Sequence, residues 1–213
     1  MKLYLIRHGR QCSKLCNVNV DLCQEGILQA ELLGKRLQGA GIERVYSSDL
    51  IRAVQTAGTA NRFWKVEHEI CPKLREISFG EMEGLSDEVI AERFADFKKQ
   101  QQEMKEDLAY PGGECAADVV KRALPVLKQI AEGGCQTAAV VTHGGVIRSV
   151  VAYLMGIDLA KVRLFGSSLE NCSITELVYH PQNQYFTLER FNDYAHLESE
   201  PGLLRSSWVD AEN

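Results

Sequence analysis

Apolar positions along the chain change period several times, and each change marks an element. Leu3-Tyr4-Leu5-Ile6 is a short unbroken apolar run closed by Arg7-His8-Gly9, the pattern of a buried strand entering a loop. Ala30, Leu33, Leu37 and Ala40 then recur at intervals of three and four, which predicts an amphipathic helix over 26–39. Arg44-Val45-Tyr46-Ser47 reads as a second strand. Ser47-Ser48-Asp49 offers capping residues for a helix from Leu50 to Ala60. An extended stretch over 66–76 is interrupted by Pro72, and Phe79-Gly80 with Glu83-Gly84 marks a loop.

Residues 86–106 are expected as one charged helix with Ile90, Phe94 and Phe97 turned inward, ended by Tyr110-Pro111-Gly112-Gly113. Val119, Val120, Ala123, Leu124, Leu127 and Ile130 share one face of the next helix, which Pro125 is expected to kink. Thr137 to Thr142 is a β-branched, apolar strand running into His143-Gly144-Gly145, and a helix over 146–154 stops before Gly156. Ser173–Tyr179 and Tyr185–Phe191 alternate around His180-Pro181-Gln182-Asn183, a hairpin pattern. Beyond Pro201 the tail is polar apart from Leu203, Leu204 and Trp208 and carries no period. Strands alternating with helices predict an α/β fold: a three-layer sandwich around a mainly parallel sheet, with a C-terminal antiparallel hairpin. No repeat, low-complexity tract or linker divides residues 1–213, so a single domain is expected.

Charge and composition narrow the function classes. A formal net charge of −5 argues against a nucleic-acid surface and against a polybasic membrane patch. No run reaches the roughly 18 to 20 apolar residues of a membrane span, and the first apolar run is too short for a secretory signal. A cytoplasmic protein is expected. Its seven cysteines are scattered, odd in number and without a CxxC pair, which reads as reduced thiols rather than a metal or disulfide framework.

In open α/β sheets, ligands gather at the carboxyl ends of the strands. Two expected strands end in histidine and glycine, at Arg7-His8-Gly9 and His143-Gly144-Gly145. A third ends at Ser47-Ser48-Asp49 and places Arg52 in the first turn of the following helix. Two imidazoles and two guanidiniums thus converge on one rim, a constellation suited to phosphoryl transfer. Arg7 and Arg52 would grip equatorial oxygens with paired, charge-assisted bonds. Backbone N–H groups after Gly144 and Gly145 would face the same oxygens. His8 would attack as a neutral imidazole, kept neutral by the neighbouring arginines.

These residues also carry a family resemblance. Leu5-Ile6-Arg7-His8-Gly9 resembles the signature of the histidine phosphatase superfamily, the phosphoglycerate mutase-like proteins. Leu22-Cys23-Gln24-Glu25-Gly26 with Gln29-Ala30, the segment Tyr46 to Ala57, Leu74-Arg75-Glu76-Ile77 before Phe79-Gly80, Pro111-Gly112-Gly113-Glu114 and Val141-Thr142-His143-Gly144-Gly145 are similar to further family segments, in order. The resemblance implies that His8 becomes phosphorylated and that Arg7 and Arg52 hold the phosphoryl group. It implies that His143 hydrogen-bonds that group and that Glu76 protonates the leaving oxygen and then activates water. It implies no metal and no organic cofactor. Glu81 and Glu83 lie near Glu76 on the same loop; Glu76 occupies the family's carboxylate position. Glu114 is expected to be structural, and His68, His180 and His196 have no catalytic context.

Three departures stand out. Arg10-Gln11-Cys12 follows Gly9 where the family usually carries Glu-Thr or Gln-Ser. Arg10 would add charge at the pocket mouth and favour a substrate with a second anion, or would be a solvated loop residue. Asn17, the nearest asparagine, is displaced along the loop, and Met82 stands where many relatives of this kind have tryptophan. Only about 66 residues separate Glu76 from His143, little more than two helices need, which favours a phosphatase of the small bacterial branch over a phosphoglycerate mutase. A non-catalytic module on the same scaffold is the third reading, and the intact set of histidines, arginines and acid opposes it. The expected partner is a small phosphorylated metabolite; neither its identity nor the oligomeric state is written in the sequence.

Overall fold

Side chains alternate across β1 (Lys2–Arg7), and that alternation sets the layering of the protein. Leu3 and Leu5 pack with residues of α5 (Ala116–Glu132) and α6 (Gly144–Leu154) on one face. Tyr4 and Ile6 pack with α1 (Gln24–Arg36) and α2 (Ile51–Trp64) on the other. Both faces of β1 are therefore dry, which is why its sequence is an unbroken apolar run rather than a polar–apolar alternation. The structure, a computed structural model, describes residues 1–166 and 168–209. Residues 210–213, the end of the expected domain, and the Trp208 side chain lie outside the described residues.

The sheet has six strands in the order β3-β2-β4-β1-β5-β6. β2 (Arg44–Ser47), β3 (Glu67–Ile70), β4 (Thr137–Thr142) and β1 run parallel. β5 (Ile174–His180) is antiparallel to β1 and forms the expected hairpin with β6 (Tyr185–Asp193). Helices on both faces of this mixed sheet give the three-layer α/β sandwich read from the sequence. All six apolar residues assigned to one face of α5 are buried. The helix continues through Pro125, which lies on its exposed side, so the missing backbone bond does not end it.

Two local expectations change. Residues 86–106 form two short helices, α3 (Asp87–Arg93) and α4 (Ala95–Gln102), with Phe94 outside helical geometry between them. Ile90 is buried, whereas α4 buries no residue completely, so the charged segment lacks the apolar stripe that would hold one long helix. Ser47, Ser48 and Asp49 do not cap α2 in the manner expected. Ser47 and Ser48 bind histidines, Asp49 pairs with Arg75, and the Ile51 N–H donates to Asn19 Oδ1 at 2.9 Å. The tail, unplaced by its sequence, packs back against α1, where the carbonyl of buried Leu203 accepts from Gln29 Nε2 at 2.6 Å, and its described part closes in a short turn of helix, α7 (Ser206–Val209).

Candidate active site

Strand register brings the histidines together. Arg7 pairs with Thr142 and Ser47 with Val141 across the parallel strands, so His8, His143 and Ser48 leave the sheet side by side at the carboxyl ends. The His8 N–H donates to the Thr142 carbonyl at 3.0 Å, and the two imidazole centroids lie 5.0 Å apart.

Each ring is buried and its orientation is set by one neighbour. His8 Nδ1 lies 2.7 Å from the Gly9 carbonyl, which can only accept, so Nδ1 carries the proton and Nε2 the lone pair. Arg52 Nε donates to that Nε2 at 3.3 Å. Burial, then the charges of Arg52 and Arg7, hold the His8 pKa well below the ordinary imidazole range. His143 is lowered well below it too, by burial first and then by His8 and the same two arginines. Ser48 Oγ accepts the Leu50 N–H at 3.4 Å and meets His143 Nε2 at 2.7 Å. With the serine proton directed to Nε2, His143 Nδ1 keeps its own proton, and that buried nitrogen has no partner among the described residues.

Arg52, 2% exposed, is fixed on three sides. Besides His8, it donates from Nη1 to the Val18 carbonyl at 2.9 Å and from Nη2 to Asn17 Oδ1 at 2.7 Å. Asn17 adopts a left-handed backbone (φ 47°), and its Nδ2 reaches Glu83 Oε1 at 3.0 Å. Displacement along the loop therefore does not remove Asn17 from the site; the loop folds it back beside Arg52. Arg7 donates from Nη1 to the Leu169 carbonyl, while its buried Nε has no partner among the described residues.

The choice among three glutamates follows from their partners. Glu83 is tied to the Ser78 hydroxyl, the Phe79 N–H and Asn17, and Glu81 is exposed. Glu76 faces the cavity, with Oε1 accepting from Ile77 N–H at 2.9 Å and Gly145 N–H at 3.0 Å. Behind this loop Glu114 accepts from Ser78 N–H and from Arg122, which in turn donates to the carbonyls of Lys73, Arg75 and Glu76. Glu114 is thus a brace, the structural part read for it. Glycine at 145 leaves Glu76 its place: a Cβ there would lie 2.4 Å from Glu76 Oε1 and would have to push the carboxyl group aside. At Gly144 a Cβ would meet only Arg7, at 3.7 Å, an ordinary contact.

Arg7, Glu76, Phe79 and Arg205 are common to two adjoining cavities of about 290 Å³ and 490 Å³. His8, Arg52 and Asn17 line the second, and Gly144 the first. Arg10 is the one site residue that the fold turns elsewhere. It is buried, 7% exposed, with Nη2 donating to the Leu204 carbonyl at 3.0 Å and to Ser207 Oγ at 3.2 Å. Neither a mouth residue nor a solvated one, it anchors the tail. Reading by motif missed Asn171, whose Nδ2 holds the His8 carbonyl at 2.9 Å, and the tail residue Arg205. It also missed Lys98, Arg148 and Arg163 in the smaller cavity. Only Arg148 carried any signal, four residues after Gly144 and so on the same helical face.

Residues 3–194 match the description "Histidine phosphatase superfamily (branch 1)". The chain belongs to the histidine phosphatase superfamily. Among its relatives in that superfamily, phosphoserine phosphatase 1 of Hydrogenobacter thermophilus is 28% identical over 206 residues, 92% of this chain and 94% of that protein. A Yersinia pestis protein named "Probable phosphoglycerate mutase GpmB" is 26% identical over 207 residues, 93% of this chain and 95% of its own. The solved complex of a mycobacterial glucosyl-3-phosphoglycerate phosphatase with inorganic phosphate aligns with a TM-score of 0.80. It is 26% identical and spans 92% of this chain and 98% of that one.

Proposed function

We propose that this histidine phosphatase superfamily member hydrolyses a small phosphomonoester through a phosphohistidine on His8. One observation carries the reading: a buried imidazole, neutral by its surroundings, has its single lone pair at Nε2 beside Arg52 and on a cavity shared with Arg7 and Glu76. A phosphate monoester brings up to two negative charges, so catalysis is mostly positioning and charge neutralisation, which paired guanidiniums supply.

Substrate oxygens take over the Arg52 Nε hydrogen bond and release the His8 lone pair. Nε2 then attacks phosphorus, the N–P bond forms and the ester P–O bond breaks. Arg7, Arg52 and the Gly144 N–H hold the equatorial oxygens, and His143 Nδ1–H donates to one of them. With Oε1 of Glu76 occupied by two N–H groups, Oε2 carries the proton that passes to the leaving oxygen. The resulting carboxylate takes a proton from water as its oxygen attacks phosphorus. Cleavage of the N–P bond returns His8 and frees phosphate.

The mutase reading differs only in the fate of the phosphoryl group, which would return to a retained phosphoglycerate. The segment from Glu76 to His143 holds the acid loop's 3-10 turn (Gly80–Met82), α3, α4, α5 and β4, and this economy supports hydrolysis. We place the reaction in the cytoplasm, in keeping with seven unpaired cysteines, and assign it no nucleic-acid partner on an acidic chain. Among the described residues no helix is long and apolar enough to cross a membrane. The test is a phosphate-release screen over phosphorylated metabolites, run with excess chelator and beside His8→Ala. Release that survives chelator and vanishes in the variant is expected. Isomerisation of phosphoglycerate without release, or rescue of a chelated enzyme by added divalent ions, would contradict it.

A further inference from the structure

The two cavities that meet at Arg7 and Glu76 differ in how much charge they carry. The smaller, of about 290 Å³, is lined by Arg7, Lys98, Arg148, Arg163 and Arg205 against two carboxylates, Glu76 and Asp107. Glu76 acts on Arg7 and Arg148, but two carboxylates cannot balance five cations. Asp107 is spent at the start of α5, where its two oxygens accept the N–H groups of Ala116 and Ala117 at 3.0 and 2.8 Å. Glu76 Oε1 is held by Ile77 and Gly145. A chain of net charge −5 thus gathers positive charge in one recess beside the reaction centre.

One phosphoryl group accounts for Arg7 and Arg52; of the four cations left in the smaller recess, Arg205 donates to Asn171 Oδ1 at 3.5 Å, and the other three are Lys98, Arg148 and Arg163. Arg148 sits four residues along α6 from Gly144, on the same face and roughly 6 Å further along the axis. Its Nε is buried with no hydrogen-bond partner among the described residues, a state that native proteins seldom leave to a buried polar atom. Arg163 is braced from behind by Gln101 Oε1 and the Tyr110 hydroxyl. Lys98 stands three residues from Gln101 on α4, half-buried in the same wall. A recess of this volume has room for about ten waters, enough for a short acid chain.

We propose that Lys98, Arg148 and Arg163 form a second anion subsite, so that the enzyme selects phosphomonoesters bearing another anionic group, carboxylate or phosphate, a few bonds from the ester. The inference rests on the phosphomonoesterase reading for the first anion and adds the second. Arg148 and Arg163 are specificity residues here; the bond-breaking steps do not pass through them.

The experiment compares kcat/KM for butyl phosphate, 4-phosphooxybutyrate and butane-1,4-diol bisphosphate, esters alike except at the far end. At least a tenfold preference for one charged ester over the neutral one is expected, and whichever is favoured names the anion. In Arg148→Met and in the milder Lys98→Met that ratio, taken within each variant, falls towards one. Equal values for the three esters in the wild-type protein, or a ratio unmoved in both variants, would overturn the subsite. Calorimetry with 4-phosphonobutyrate and butylphosphonate separates this proposal from the catalytic one. Tighter binding of the carboxylated phosphonate supports the subsite even if no ester is turned over, and equal binding refutes it even if all are.

Discussion

The Gly145 N–H meets Glu76 Oε1 at 3.0 Å, so the acid loop is fastened to the first turn of the helix that follows His143. The approach leaves no room for a side chain, since a Cβ at 145 would fall 2.4 Å from that oxygen and 2.7 Å from Ile77 Cγ2. Gly145→Ala should therefore displace the carboxyl group that protonates the leaving oxygen. We expect kcat/KM, which reports phosphoryl transfer to His8 and not the later hydrolysis, to fall on an alkyl phosphate by roughly 100-fold or more, the scale of a lost general acid, and far less on p-nitrophenyl phosphate, whose leaving group hardly needs a proton. Equal losses on both esters would show that the glycine serves the fold rather than the acid.

Asn17 connects Glu83 to Arg52, accepting from the guanidinium at 2.7 Å and donating to the carboxylate at 3.0 Å. Hydrogen bonds to charged groups contribute about 1.5–3 kcal/mol, so Asn17→Ala should lower kcat/KM by about ten- to a hundredfold. Steady-state kinetics checks this; a change below twofold would make Asn17 a bystander.

Arg122 ties Glu114 to three carbonyls of the acid loop, with both side chains largely buried. Arg122→Met leaves those carbonyls without this donor and the Glu114 carboxylate with the Ser78 N–H but no guanidinium. A loss of about 2 kcal/mol in urea unfolding is expected, accompanied by reduced turnover. An unchanged midpoint would mean that the loop is held by other contacts.

Much of this was legible beforehand because the elements are strongly periodic. An apolar run ending in Arg7-His8-Gly9 and a β-branched run ending in His143-Gly144 both stop at the carboxyl side of the sheet, the first opening a loop and the second α6, and parallel register does the rest. What was hidden depends on chain reversals that leave no period. Asn17 reaches Arg52 only because its loop turns through a left-handed residue, and Arg205 arrives from a tail with no repeating pattern. Arg10 was misplaced for a related reason. Its burial depends on the tail carbonyl of Leu204, whose position the sequence does not announce. Ser47 and Ser48 looked like helix caps because local rules favour that use, but tertiary partners, His68 and His143, claimed them.

His8 and His143 hold folded pKa values well below 6.5, burial acting first and neighbouring cations next, and His196 is pushed down to about 4, by burial. Unfolded, each binds a proton as pH falls through 6.5; folded, none does until its own lower pKa. Their stability contribution is therefore complete above pH 6.5 and lost below it, at up to about 1.4 kcal/mol per pH unit for each histidine. Urea unfolding between pH 7 and 5 should show this decline, with a shallower slope in His8→Asn. Stability independent of pH across that interval would contradict the burial of neutral imidazoles.

The central claim is that phosphate resides on His8 during turnover. The direct measurement is rapid quench of the enzyme with a phosphomonoester, followed by peptide mass spectrometry under alkaline conditions that preserve phosphohistidine. The account predicts an acid-labile phosphate on the peptide containing Arg7-His8-Gly9, absent from His8→Ala, in which turnover is also lost. Phosphate on another residue, or a His8→Ala enzyme that still releases phosphate at an appreciable rate, would contradict it.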